Sequence, residues 1–280
     1  MTNPATAAAE GQRGPRRRKP PRPVAVVSVS RIAPRLVSVQ VAGDSLDSFR
    51  IEAPTSHIKV MLPPGGQREL VLPRDTPEGV VWPDEAVRPV VRTYTPRRFD
   101  EATRTLEIQF VLHGAGPASE WAERASVGDR LAVAGPGGRF TMDPATEHWW
   151  IAGDESAIPA IGTLLEALPS SVTAEVHVEV TDSADEVELS SPAKAGITWH
   201  HRRSPDAWGA ELGGVARAAD FADGTKVWVA CEAAAMRGIR RYLLAERRLP
   251  ASSLVTRGYW RLGAANHPDH DYGDDDLGAR

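Results

Sequence analysis

Two rhythms in the chain predict a β-barrel followed by an α/β layer. From Val24 to Met142 apolar residues alternate in short runs separated by proline and glycine, the spacing of an antiparallel barrel or sandwich. From His148 onward buried-looking strands alternate with segments of helical spacing, which argues for βαβ units and a parallel sheet. The rhythm changes across Asp143–Glu147. The expected layout is a basic tail over 1–22, a barrel domain over 23–144, an α/β domain over 145–263 and an acidic tail over 264–280.

The elements follow in chain order. Residues 1–22 contain "RGPRRRKPPR" and almost no large apolar side chain. They cannot bury enough surface to offset ordering entropy, so a solvated, disordered tail is expected. Strands are expected at "VAVVSVSRI", "RLVSVQVAG", "HIKVMLP", "VVRTYTP", "TLEIQFVLHG" and "GDRLAVAGP". Residues 63–88 make a long, proline-punctuated excursion, and loops of that length tend to be functional or mobile. "PASEWAERA" reads as a short helix within the barrel. In the second part "HWWIAG", "TAEVHVEV", "GITWHHR", "TKVWVAC" and "SLVTRGYW" read as strands. "DESAIPAIGTLLEAL", "PDAWGAELGGVARAA" and "EAAAMRGIRRYLLAERR" read as helices, the last strongly amphipathic. The closing "HPDHDYGDDD" reads as a solvated acidic tail, and no internal repeat is present.

Bulk properties exclude several classes. A formal net charge of −4 makes the chain as a whole no nucleic-acid binder. One cysteine, Cys231, leaves no internal disulfide, no Cys-ligated iron–sulfur cluster and no structural zinc site, and fits a reducing cytoplasm. No apolar run approaches the ~18–20 residues that span a bilayer, so no membrane insertion is expected. The first residues lack the apolar core of a signal peptide. A monomer is the default expectation.

Two stretches carry candidate chemistry. "HGAGPAS" (113–119) nearly matches the glycine-rich dinucleotide turn, with Ser119 in the third glycine's place. The elements after it keep the barrel's rhythm, and no acidic residue stands where a ribose contact would fall, so a Rossmann unit is not expected here. Glycines and a helix N-terminus nevertheless suit an anion such as a pyrophosphate, while a plain strand–turn–helix corner needs no ligand. In "RPVVRTYTPRRF" (88–99), Arg92 and Arg97 are candidates for phosphate, Tyr94 for stacking on a flat ring and Thr95 for bonding a ring nitrogen. The alternative is that Tyr94 packs on a neighbouring strand and the arginines are solvated.

Seven motifs in order change the weight of these readings: "HIKVMLP" (57–63), "RTYTPR" (92–97), "FVLHGAGPASEWA" (110–122), "GDRLAVAGPGGRF" (128–140), "GDESAIPAI" (153–161), "WVACEAAAMRGIRRYL" (228–243) and "GYWRLG" (258–263). From about Val24 to the C-terminus the chain resembles the siderophore-interacting protein family, flavin-dependent ferric-siderophore reductases of ferredoxin-reductase-like fold. The resemblance implies an N-terminal FAD-binding barrel and a C-terminal NAD(P)-binding domain. Arg92, Thr93, Tyr94 and Thr95 would hold the flavin, and His113, Gly114, Gly116, Ala118 and Ser119 its phosphate and adenosine side. Asp154 can cap the helix that follows its strand; the resemblance makes Asp154, Glu155, Ser156 and Ala157 the nicotinamide-facing loop, and Glu232 would cap the next helix or sit near the bound nucleotide. Electrons would pass from NADPH, or NADH, through FAD to Fe(III) in the siderophore, with Fe(II) released and no catalytic acid or base required. Reduced ferredoxin is an alternative donor. The family usually has glycine where Cys231 stands.

Several assignments keep two readings. Arg202 and Arg203 in "WHHRRSPDAW" could grip a 2′-phosphate or belong to a solvated basic loop. His200 and His201, adjacent in a strand, point to opposite faces and are poor joint metal ligands, so no protein-bound metal is expected. Lys59, Arg139, Arg257 and Arg261 are candidates to attract an anionic ferric siderophore beside the flavin. Tyr259 and Trp260 either pack in the core or wall the active site. The rival functions are a general flavin reductase or electron-transfer flavoprotein, and a non-enzymatic siderophore carrier.

Overall fold

A computed structural model describes residues 20–65, 67, 69–76, 79–83, 88–114, 116–138, 140–204, 206–267 and 271–272. The basic run before residue 20, most of the acidic tail and Arg139 lie outside the described residues. The first layer is built from β1 (Arg22–Ala33), β2 (Leu36–Ala42), β3 (His57–Leu62), β6 (Val90–Tyr94), β7 (Pro96–Asp100), β8 (Thr105–Val111) and β9 (Arg130–Gly137). They form one antiparallel sheet in the order β6-β3-β9-β1-β2-β8-β7. Its two edge strands are consecutive in the chain, separated by Thr95 alone. One residue cannot span a flat seven-stranded sheet, so the sheet must curl until its edges meet at Thr95. That is the expected barrel closure.

Alternation drives this curl. In β3 and β8 every second side chain is buried, and Ile58, Val60, Leu62, Leu106, Ile108 and Phe110 meet in one core. Helix α1 (Pro117–Arg124) lies against that core through Trp121, whose ring packs 5.5 Å from Phe110. The excursion after β3 holds a small antiparallel ribbon of β4 (Arg74–Thr76) and β5 (Gly79–Val81), where the sequence predicts only a loop. Strand β7 was also not expected. Its proline occupies the first position, where a missing N–H breaks no interior ladder bond.

The second layer is a parallel sheet of β10 (His148–Asp154), β11 (Thr173–Val180), β12 (Lys194–His201), β13 (Lys226–Glu232) and β14 (Leu254–Trp260), in the order β12-β11-β10-β13-β14. Both faces are covered, as parallel sheets require. Helix α2 (Ile158–Ala167) packs with Trp149, Ile151 and Val176 on one face. Helices α3 (Ala210–Ala218) and α4 (Ala233–Ala245) pack with Trp150, Val227 and Val229 on the other. The chain leaves β10 toward β11 on one side and leaves β13 toward β14 on the other. The gap between the C-terminal ends of β10 and β13 is therefore a topological switch point, where open α/β sheets bind ligands.

The layers are joined by a continuous core and by charge. Ala33 and Leu36 of the barrel pack in the core beneath α2. Arg97 makes a bidentate pair with Glu166 of α2, at 2.9 and 2.8 Å, and Arg35 bonds Asp185 at 2.5 Å. Arg97, a sequence candidate for phosphate, is thus buried and spent on the interdomain contact. The expectation of a fully solvated C-terminal tail also fails at Asp271, which is 7% exposed. Its carboxylate accepts from Arg237 and from His267, each at 2.7 Å, and its carbonyl accepts from Gly258 N–H at 2.9 Å. A carboxylate so buried needs such partners, and the edge of β14 and helix α4 supply them.

Candidate functional site

On the barrel, the antiparallel register sets Lys59 opposite Thr93, Val60 opposite Arg92 and Ile58 opposite Tyr94. Arg92 and Tyr94 therefore share the core-facing side of β6 with two buried apolar residues, and Thr93 faces the other way with Lys59. Lys59 Nζ donates to Thr93 Oγ1 at 2.7 Å. The Tyr94 ring packs on Phe110 at 4.4 Å between centroids, so the strand-packing alternative holds for its ring, and burial pushes its phenol up. Phe110 carries Trp121 of α1 as well, and this brings the Arg-Thr-Tyr strand and the start of α1 to one corner. Thr95 is 8% exposed, and its side chain lies close to the phenol of Tyr259 across the domain junction.

The turn before α1 needs its glycines. Gly114 and Gly116 sit at φ of +77° and +95°, a region that side chains disfavour. A Cβ on Gly114 would meet nothing within 4 Å, so the turn has open space beside it. His113 is exposed, and its N–H donates to Ser119 Oγ at 3.1 Å. Ser119 and Ala118 are buried, so they offer a ligand their backbone N–H groups at the first turn rather than their side chains. One cationic side chain, Arg92, an aromatic ring and the amides at the start of α1 share this corner, which suits the charge and flatness of a dinucleotide such as FAD.

At the switch point, Asp154 ends β10 and is 1% exposed. It does more than cap the following turn. Oδ1 accepts from Ser156 N–H at 3.0 Å and from its hydroxyl at 2.5 Å. Oδ2 accepts from Glu232 N–H at 2.9 Å and from the Trp260 indole at 2.7 Å. Burial, then the neighbouring Glu155 charge, raises its carboxyl to about 7. Glu232 caps α4, accepting from Ala234 and Ala235 N–H at 2.6 and 3.0 Å, and also from Leu262 N–H at 3.2 Å. Ala157 is fully buried against Gly153, where an added Cβ would lie 2.6 Å away, so it does not face a ligand.

The two arginines after β12 part company. Arg202, with a side chain 3% exposed, pairs with Glu155 through both terminal guanidinium nitrogens, Nη1 bonding at 2.8 Å. Glu179 stands 3.5 Å away, and Arg202 Nη2 reaches Thr181 Oγ1 at 2.6 Å. Neither the phosphate grip nor the solvated loop describes it. Arg203 is 85% exposed and pairs with Glu211 at 3.1 Å. Trp208 lies over Arg202 at 3.9 Å and meets Trp260 edge-on at 4.7 Å. The sequence reading missed Glu179 and Trp208. Glu179 was visible as a charge in the otherwise apolar end of β11, a position that requires a buried partner. Cys231 is fully buried, with its thiol pushed well up by burial and by the carboxylates of Asp154, Glu179 and Glu232.

The remaining candidates scatter. Arg257 donates to the Thr256 carbonyl at 2.8 Å and lies 4.3 Å over the ring of Tyr272. Arg261 is exposed just beyond β14. Among the described residues no cluster of three or more His, Cys, Asp or Glu side chains could hold a metal ion, and no helix is long and apolar enough to cross a membrane.

Comparison with known proteins matches the chain in two parts. Residues 25–140 match the family model described as a siderophore-interacting FAD-binding domain, and residues 146–263 match that of a siderophore-interacting protein. The chain is similar to the ferric vibriobactin reductase ViuB of Vibrio cholerae serotype O1, with 32% identity over 90% of this chain and 93% of that protein. It is 32% identical to the NADPH-dependent ferric-chelate reductase of Escherichia coli K12, over 85% of this chain and 92% of that protein. A crystal structure of a siderophore utilization protein from T. fusca superposes with a TM-score of 0.80 at 36% identity, over 90% of this chain and 98% of that one.

Proposed function

The chain belongs to the siderophore-interacting protein family, and from that premise we propose that it is an FAD-dependent reductase of ferric siderophores with NADPH as electron donor. The observation that carries the reading is the pairing of two complementary corners. One gathers Arg92, Tyr94 and the Gly114–Gly116 turn on the barrel. The other gathers Asp154, Glu155, Glu232 and Trp260 at the switch point of the sheet. Thr95 and Tyr259 join them at the junction.

Bound FAD would supply the conversion between a two-electron hydride donor and one-electron transfer to iron. The chain's residues do the rest. Arg92 would neutralise phosphate charge, and the first amides of α1 would bond phosphate oxygens at the open glycine turn. Tyr94 and Phe110 would exclude water from one side of the flavin. The switch-point loop would orient the nicotinamide. Lys59, Arg257 and Arg261 would draw an anionic ferric complex to the open side and raise its encounter rate. Iron arrives with its own ligands and needs no protein metal site. A cytoplasmic setting fits a chain whose one cysteine is a free, buried thiol.

The test is the visible spectrum of the purified protein under argon. Flavin bands should bleach with NADPH and return on adding a ferric siderophore. Bands that ignore NADPH and bleach with reduced ferredoxin would replace the donor. A protein that stays colourless after addition of FAD, yet binds the ferric complex, would make it a carrier.

A further inference from the structure

The Asp154 carboxylate accepts four hydrogen bonds at the switch point, and all four donors come from the strand ends and the turn around it. It lies at the end of β10 and bonds the amide of Glu232 at the end of β13 and the indole of Trp260 at the end of β14. Through Trp260 the chain of contacts runs to Trp208, from Trp208 to Arg202, and from Arg202 to Glu155, the residue next to Asp154. The contacts close a ring around the mouth of the switch point. With both oxygens spent, Asp154 has no capacity left for a ligand. We infer that Asp154 is a positioning residue: its carboxylate fixes the Trp260 indole, and with it the Trp208–Arg202–Glu155 stack, that orients the electron donor. This inference rests on the reading of the switch point as the donor site.

The charge state matters to this role. The two oxygens differ in what they tolerate. Oδ2 faces two N–H groups that can only donate, those of Glu232 and Trp260. Oδ1 faces the Ser156 hydroxyl, which can rotate and accept. A proton therefore settles on Oδ1, and the Trp260 bond weakens from a charge-assisted one to a neutral one. The groups facing Asp154 are Glu155 on the turn, Cys231 and Glu232 on β13, and Tyr259 and Trp260 on β14. The Glu155 charge is matched by Arg202. The position of the carboxyl, at about 7, makes this switch accessible near neutrality.

Asp154→Asn approximates the protonated form, keeping an acceptor for Trp260 and a donor for the Ser156 hydroxyl while the Ser156 N–H gives up its acceptor. In the FAD-loaded protein, bleaching of the flavin by NADPH should slow about three- to tenfold in wild type as pH falls through 7. Asp154→Asn should bleach at the slow rate at every pH. Re-oxidation of dithionite-reduced protein by the ferric complex should change less than about twofold, since that half uses the barrel side. Trp260→Phe should slow bleaching by a similar factor, and the double variant no further. Additive losses, or equal slowing of both half-reactions, would make Asp154 a merely structural residue. A second readout needs neither donor nor variant stability at the extremes. Tryptophan emission of the wild type should titrate near pH 7, and the Trp260→Phe protein should lose that transition. If NADPH fails to bleach the flavin but the emission titrates, the donor reading falls and the Asp154–Trp260 linkage stands. Emission that is flat through pH 7 in wild type overturns the inference itself.

Discussion

At the scale of single residues, burial decides what each side chain can do, and sequence shows burial poorly. Cys231 occupies the end of β13 with no exposed surface, and three carboxylates in its neighbourhood oppose formation of a thiolate. The native protein should therefore give no reaction with a thiol reagent over minutes at pH 8, and one equivalent in denaturant. A fast native reaction would mean that the C-terminal end of β13 opens to solvent. Arg97 and Arg202 teach the same lesson. Each stands in a run of arginines that reads locally as an anion site. Their true partners, Glu166 and Glu155, lie 69 and 47 positions away, and no local pattern announces them. Asp154 was legible as a cap, because its bond to Ser156 spans two residues. Its bonds to Glu232 and Trp260 span 78 and 106 residues and emerge only from strand order. The glycine turn at 114–116 was legible because φ > 0 is a property of the residue type itself.

At the scale of elements, the period of the apolar residues carried most of the fold. Strands β3 and β8 bury every second side chain, and β10 and β13 of the parallel sheet are buried nearly throughout, so each falls where its run was read. Strand β7 and the β4–β5 ribbon lacked that signal, being charged or only three residues long. Helix α3 begins at Ala210, later than its apolar pattern suggested, after Gly209 in the left-handed conformation. Helix α2 has a further function as one half of the domain clamp. A Cβ on Gly162 would lie 3.0 Å from Cζ and Nη2 of Arg97, so the guanidinium rests directly on the helix backbone. Replacing a helical glycine by alanine ordinarily adds about 0.5–1 kcal/mol. At Gly162 the methyl displaces a buried, bidentate arginine, and the sign should reverse, with a loss of about 1–3 kcal/mol. Gly238→Ala in α4, where nothing lies within 4 Å, is the control and should stabilise. Urea titration of both variants checks the pair, and stabilisation by Gly162→Ala would remove Arg97 from the clamp.

At the scale of the whole molecule, two carboxylates, the half-buried Glu166 and the buried Asp154, pull stability in opposite directions with pH. Glu166 is held below its usual range, first by its bond to Arg97, so its folded value lies under its unfolded one. Its contribution is present above about 4.5 and is lost as pH falls through the folded value. Asp154 is raised from 3.8 to about 7, so the folded state binds its proton more tightly than the unfolded chain does. That contribution is complete below 3.8 and is lost as pH rises through about 7. Between these values the wild type should lose up to about 1.4 kcal/mol per pH unit relative to Asp154→Asn, which has no proton to release. The measurement is the difference in unfolding free energy between the two proteins at pH 5, 6, 7 and 8. The difference should fall across that range and level off at its alkaline end; a difference independent of pH would show that the Asp154 carboxyl titrates normally. The ionised form that holds Trp260 is then the less stable one. The fold keeps a charge at the switch point that burial opposes, and a group retained against stability at a ligand-binding crevice is what a working site requires.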